Sequence, residues 1–292
     1  MNVLLLGAGG QLGHELRQSL GVLGTLTALD RAGFDLAEPG KFRHLLSKIR
    51  PDVIVNAAAY TAVDLAESET DIAHAVNALA PGILAEEARR QGALLLHFST
   101  DYVFDGEKTR PYVESDATNP LCVYGKTKLA GEQAIQASGC RHLILRISWV
   151  YGPHGSNFFK TISRIARTRP DIRVVNDQWG TPITTLRLAT LVPAVLNKLA
   201  APDSRYSGAT GLYHLTPAGC TTWYEYALQI VARLGIECEV LPMTSASLER
   251  PAKRPVNSLM DSSRFHKDFD LSVGHWIEGF EEICRSLPFS PE

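Results

Sequence analysis

Apolar residues in the first half of the chain fall into short dense runs separated by longer stretches of helical period. Residues 2–6, 25–29, 53–55, 93–98 and 142–147 are evenly apolar, too short for helices and bounded by glycine, proline or polar residues, so they predict buried strands. Between them Leu12, Leu16 and Leu20 recur at helical spacing, residues 40–49 predict a second helix, and residues 67–91 predict a long one. That long helix has Ala73, Val76, Ala80, Leu84 and Ala88 on its inner face, and Pro120 opens a further helix carrying Tyr124 and Lys128. Strands alternating with helices predict an α/β fold, a doubly wound parallel sheet with helices on both faces. After Trp149 the pattern loosens into glycine- and proline-rich loops, with helices at 158–167 and 186–199 and short strands at 173–175, 212–215 and 239–241. The expected division is therefore residues 1–150 as one domain and 151–292 as a smaller mixed α/β lobe. The chain is expected to return to the first domain near 184–199. Residues 200–210 read as a polar linker, and Trp223, Tyr224, Tyr226 and Ala227 as a helix packing face.

Composition narrows the class. A chain of 292 residues with 45% hydrophobic and 21% charged content can bury a sizeable core. A formal net charge of −2 argues against general nucleic-acid or membrane-surface binding. No apolar run approaches the roughly 18 residues of a membrane span. The first apolar run lacks a basic flank and is too short for a signal peptide. The cysteines, at 122, 140, 220, 238 and 284, are odd in number and form no CxxC pair. Free thiols in a reducing, cytoplasmic compartment are expected, with neither disulfides nor a zinc site.

The chemistry gathers at the carboxyl ends of the predicted strands. The first strand breaks into Gly7-x-x-Gly10-x-x-Gly13, where glycines admit a pyrophosphate to the backbone and a helix N-terminus faces its charge. This strand–turn–helix start is the Rossmann dinucleotide-binding arrangement. Asp30 ends the second strand where ribose hydroxyls are held and points to NADH, while Arg31 beside it keeps NADPH open as a partner for a 2′-phosphate. Asp35 and Leu36 follow in the next loop, in reach of an adenine. The third strand ends in Asn56-Ala57-Ala58-Ala59-Tyr60, small residues that leave room for a ligand, and the fourth delivers Ser99-Thr100-Asp101 to the same edge. Tyr124 and Lys128 lie one helical turn apart. An ammonium beside a tyrosine favours the phenolate and brings the hydroxyl into acid–base range, and Thr100 can share a substrate oxygen with it. A tyrosine–lysine pair alone is common on helices. Its arrival at one edge with the glycine turn, the alanine run and the serine–threonine pair sets it apart. In the second half, Arg254 and Asn257 are candidate contacts to a nucleotide diphosphate, and Trp149, between the lobes, is a candidate stacking face for a sugar.

These words together resemble the extended short-chain dehydrogenase/reductases, and within them the dTDP-4-dehydrorhamnose reductase family. The resemblance rests on Gly10-Gln11-Leu12-Gly13, on residues 55–64, on Ser99-Thr100-Asp101-Tyr102-Val103-Phe104, and on Tyr124-Gly125-Lys126-Thr127-Lys128. It continues through Arg146-Ile147-Ser148-Trp149-Val150-Tyr151, Asn157-Phe158 and Arg254-Pro255-x-Asn257-Ser258. It implies NAD(P)H-dependent reduction of the C4 ketone of dTDP-4-dehydro-L-rhamnose, with Thr100, Tyr124 and Lys128 as the catalytic set. It further implies that Gly7, Gly10, Gln11, Leu12, Gly13, Asp30, Arg31, Asp35, Leu36, Ala58, Ala59 and Tyr60 meet the cofactor. Thr100, Asp101, Tyr124, Trp149 and Asn157 would meet the nucleotide sugar. Tyr60 is a departure, since members often carry histidine there. Some members are implied to pair as homodimers through magnesium held by C-terminal acids, but Glu281, Glu282 and Glu292 do not establish such a site. Two rival readings share the framework: a non-catalytic NAD(P)-binding subunit resembling the regulatory β subunit of methionine adenosyltransferase, and a nucleotide-sugar epimerase or dehydratase. The intact Thr–Tyr–Lys set argues against the first, and Tyr102 in place of a second acid after Asp101 against a dehydratase.

Overall fold

Continuous apolar character along the short strands decides the architecture, because each strand has to bury both of its faces. The computed structural model describes residues 1–200, 206 and 210–286; most of the expected linker, together with Glu292, lies outside the described residues. The first half runs β1 (Asn2–Leu6), α1 (Gln11–Leu20), β2 (Thr25–Leu29), α2 (Phe42–Ile49) and β3 (Val53–Asn56). It continues with α3 (Thr70–His74), a wider π turn at Ala75–Leu79, α4 (Ala80–Gln91), β4 (Leu94–Thr100), α5 (Val123–Ser138) and β5 (Arg141–Ile147). The second half holds β6 (Val150–Tyr151), α6 (Phe158–Ala166), β7 (Asp171–Val175), β8 (Trp179–Gly180), β9 (Ile183–Thr184) and α7 (Thr185–Ala200). After these come β10 (Gly211–His214), β11 (Thr221–Thr222), α8 (Trp223–Arg233), β12 (Glu239–Met243), α9 (Ser263–Phe269) and α10 (Trp276–Ser286).

Six strands form one sheet in the order β10-β5-β4-β3-β1-β2, every neighbouring pair parallel. The chain leaves β1 toward β2 on one side and toward β3, β4 and β5 on the other. The crevice at this reversal is where open α/β sheets take ligands. Successive residues of β1 go to opposite cores. Val3 and Leu5 join Leu12, Leu16 and Leu20 of α1 and Leu188, Val192 and Val195 of α7, whereas Leu4 and Leu6 join Phe42 and Leu46 of α2, Leu84 of α4 and Ile135 of α5. Each such leucine, buried to within a few per cent, contributes at most ~1.5–3 kcal/mol. A third core, built of aromatic rings including Tyr151, Phe159, Tyr226, Trp276 and Phe280, lies in the second half.

Three features depart from expectation. The strand at 212–215, assigned from sequence to the smaller lobe, is β10 and pairs with β5 from Gly211↔Leu143 to His214↔Arg146. Its Leu212 and Tyr213 enter the two opposite cores and cover an otherwise open sheet edge. The long helix is not continuous: the π turn lifts Asn77 out of register, and α5 reaches this turn through Gly131, where a Cβ would overlap the Asn77 carbonyl oxygen. Finally, α5 begins at Val123 rather than at Pro120, because residues through Cys122 stay extended and the Val123 N–H is capped from a distance by Glu67 Oε1 at 2.7 Å.

Candidate active site

The glycine turn comes first. Gly7 has φ +81°, open chiefly to glycine, and a Cβ there would sit 2.6 Å from the Ala58 nitrogen. A Cβ on Gly13 would overlap the Gly7 carbonyl oxygen, so Gly13 faces β1 rather than the cleft and permits α1 to start close to the strand. Gly10 precedes α1 in extended conformation, and no side chain caps the helix. The first N–H groups of α1 are thus left for an anion. Gly7, Gly10, Gln11 and Leu12 line a cleft of about 640 Å³ together with Arg31, Asp35, Leu36, Ala58, Ala59 and Tyr60. The cradle and its uncapped N–H groups fit a dinucleotide. Asp30 does not line the cleft; its Oδ1 accepts the Gly33 N–H at 2.9 Å, and its Cβ lies just behind Gly9. Asp35 pairs with Arg31 at 3.3 Å and is held below the usual carboxylate range, first by the Ala37 N–H and then by Arg31. Tyr60 donates to Glu69 Oε2 at 2.6 Å, a bond that raises its own pKa, and its backbone is clamped by the Asn77 amide at 2.9 and 3.0 Å.

The floor of the cleft holds Ser99, Thr100, Asp101, Tyr124 and Lys128. Thr100 ends β4, donates to Asp101 Oδ1 at 3.0 Å and accepts the Tyr102 N–H at 3.2 Å. Burial raises Asp101 to about 6, against hydrogen bonds from Ser258 and Thr100. Tyr124 lies edge-on to Tyr102, ring centroids 5.5 Å apart. The lowered Tyr124 pKa expected from sequence is not found. Burial pushes this hydroxyl well above the usual phenol range, and only the Thr100 hydrogen bond pulls it back. Lys128 is not among the groups that pull it down, and burial lowers Lys128 itself to about 8 against the pull of Glu132. Its Nζ donates to the Phe98 carbonyl at 2.6 Å and meets His97 Nε2 at 3.2 Å. One turn further along α5, Glu132 holds Arg146 of β5 in a buried two-point ion pair at 2.6 and 2.9 Å and accepts the Ser99 hydroxyl.

Trp149, at φ +46°, also lines the cleft and stacks on Trp223 at 3.5 Å with planes only 8° apart. Trp223, expected on a helix packing face, does pack against the aromatic core and also forms part of the cleft wall. Tyr226 and Ala227 are buried in the aromatic core as expected. Besides Asp30 and Gly13, three further candidates are not brought to the cleft wall. Arg254 makes a two-point pair with Asp64 at 2.7 and 3.1 Å, its charge close to the Tyr102 hydroxyl. The Asn257 amide is committed to the carbonyls of Lys108 and Arg110 and to the Leu259 N–H. Asn157 caps α6 by accepting the Lys160 N–H and donates to the Gly152 carbonyl at 2.9 Å. Among the described residues no group of three or more His, Cys, Asp and Glu side chains is placed to hold a metal ion. Glu281 pairs with Arg233 and Glu282 with Arg187.

A doubly wound parallel sheet with a glycine-lined cleft and a Thr–Tyr–Lys set on the cleft floor at its carboxyl edge defines a dinucleotide-dependent oxidoreductase of the short-chain dehydrogenase/reductase class. A family model described as the RmlD substrate binding domain matches residues 1–288, and the chain belongs to that family. It is 42% identical to the dTDP-4-dehydrorhamnose reductase of Salmonella typhimurium over 298 aligned residues, 98% of each chain. Two solved dTDP-4-dehydrorhamnose reductases superpose with TM-scores of 0.91. One, from Clostridium acetobutylicum, is 36% identical and covers 98% of this chain and 99% of its own. The other, from Bacillus anthracis, is 31% identical with the same coverage and was solved in complex with NADP.

Proposed function

We propose that the protein is a cytoplasmic NAD(P)H-dependent reductase that converts the C4 ketone of dTDP-4-dehydro-L-rhamnose to the alcohol of dTDP-L-rhamnose. The observation that carries this reading is the gathering of buried Thr100, half-buried Tyr124 and buried Lys128 on one cleft floor with the glycine cradle. Full-length similarity to reductases of that name supports it, and the unpaired cysteines fit a reducing compartment. The reduced nicotinamide would supply the hydride to C4. Gly10, Gln11 and Leu12 would hold the pyrophosphate at the head of α1, with Arg31, Asp35, Leu36 and Ala58–Tyr60 along the adenosine and ribose side. Tyr124 gives its proton to the oxygen as negative charge develops there. The raised pKa of its hydroxyl keeps that proton in place until the alkoxide, a stronger base, can take it. Thr100 would turn its one hydroxyl proton from Asp101 Oδ1 to the same oxygen and stabilise the charge where it forms. Lys128, one turn along α5, orients the ribose side of the site. Trp149 and Trp223 give the sugar a flat apolar wall. On this reading residues 1–150 bind the dinucleotide, and the sugar side is shaped chiefly by residues 151–292.

The test follows absorbance of NADH and of NADPH with dTDP-4-dehydro-L-rhamnose generated in situ. Sugar-dependent decay is expected. Tyr124→Phe should bind the cofactor normally and lose at least about a hundredfold in turnover. A protein that binds either cofactor yet shows no sugar-dependent decay would instead be a regulatory or epimerase-type member.

A further inference from the structure

Behind the cleft floor lies a polar chain that the reading above does not use. Asn56 at the end of β3, His97 in β4 and Lys128 are each at most 2% exposed, in an otherwise apolar layer. Asn56 Oδ1 accepts the Ala58 N–H at 3.2 Å, so its amide nitrogen is the group that faces His97 Nδ1 at 3.1 Å. An amide N–H₂ can only donate, and Nδ1 must therefore present its lone pair. A neutral imidazole with a bare Nδ1 carries its proton on Nε2, and that N–H points at Lys128 Nζ, 3.2 Å away. An ammonium has no lone pair to accept it, whereas a neutral amine does, and the amine can still donate to the Phe98 carbonyl at 2.6 Å.

We propose that His97, locked by Asn56 in its Nε2–H tautomer, is a positioning residue that biases Lys128 toward the neutral amine and so sets the upper pH at which the catalytic set works. The proposal rests on the reductase reading for its kinetic consequence. Its structural content, the tautomer, stands apart from it. The groups around Lys128 are few: His97 from β4, Tyr124 and Glu132 from its own helix, and, beyond Glu132, Arg146 of β5 with His214 of β10. Glu132 is tied to Arg146, so its pull toward the ammonium is partly spent. His97 is itself kept neutral by burial and by the nearness of Lys128.

The first test is nitrogen-15 NMR of the imidazoles of the wild-type protein, with His97 assigned through His97→Gln. The Nε2–H tautomer is expected, and a proton on Nδ1 would overturn the proposal without touching the reductase reading. The second is the pH profile of kcat/KM. His97→Gln offers an amide oxygen that the ammonium can donate to. Asn56→Asp accepts both the Ala58 N–H and a proton on His97 Nδ1, which bares Nε2 toward Lys128. In each variant the alkaline limb should move up by about one pH unit, roughly tenfold in rate at a fixed pH on that limb. Asn56→Asp also adds a charge, so the neutral His97→Gln is the deciding variant. An unmoved limb in an active, folded His97→Gln would overturn the proposal, and the wild-type tautomer decides the matter should the variant fail to fold.

Discussion

Arg31 and Asp30 are adjacent in the chain and part company in space, which shows how far single residues could be read. The position of an acid after the second strand pointed to ribose binding; Asp30 accepts the Gly33 N–H through Oδ1 and stands beside the cleft rather than in its lining. The arginine side chain stays 83% exposed at the cleft mouth, in an ion pair with Asp35 that is exposed enough to be worth no more than ~1 kcal/mol. It is therefore free to turn to a 2′-phosphate. Arg31→Ala is expected to raise the KM for NADPH about tenfold, the worth of one charge-assisted hydrogen bond of ~1.5 kcal/mol, and to leave the KM for NADH nearly unchanged. Equal losses with both cofactors would place Arg31 elsewhere. Thr100, Tyr124 and Lys128 were legible because their spacing and strand-end position carry the chemistry. His97, Asn56 and Trp223 were not. A histidine inside an apolar run looks like core, and nothing local says that Trp223 will find Trp149.

Helix α5 carries two of the three proposed catalytic side chains, and what holds it in place comes from other elements. Glu67 caps its N-terminus, the π turn receives it at Gly131, and the buried Glu132–Arg146 pair ties it to β5. Glu132→Gln would leave the Arg146 guanidinium buried without a counter-charge. A destabilisation of roughly 3–5 kcal/mol is expected in denaturant unfolding. A loss under about 1 kcal/mol would mean that water reaches the arginine. The helix itself could be read from its period, but its start could not. Pro120 is a fair opening signal, and the true start was decided by a carboxylate more than fifty residues away in sequence.

For the whole molecule, pH dependence is a direct consequence of burial. His97 lies well below its ordinary pKa and His214 at about 3, both chiefly by burial, so the fold holds them neutral. Below pH 6.5 the unfolded chain binds protons there that the native state refuses, and stability is lost as pH falls. Asp101, raised to about 6, works in the opposite sense between there and its ordinary value, offsetting one histidine. The net slope between pH 6 and 5 is then about 1.4 kcal/mol per pH unit, measurable as a falling urea midpoint. A flat profile over that range would show that one imidazole is charged in the fold. The chain by itself determined the alternation of strands and helices and the glycine turn, and marked out the candidate trio, because period, turn chemistry and helical spacing are local properties. Only the tertiary structure decided which strand covers the edge of β5, which carboxylate caps α5, that two tryptophans stack, and that desolvation raises the tyrosine against expectation. Each of those depends on contacts between distant residues and on desolvation, and neither is written in any local run of sequence.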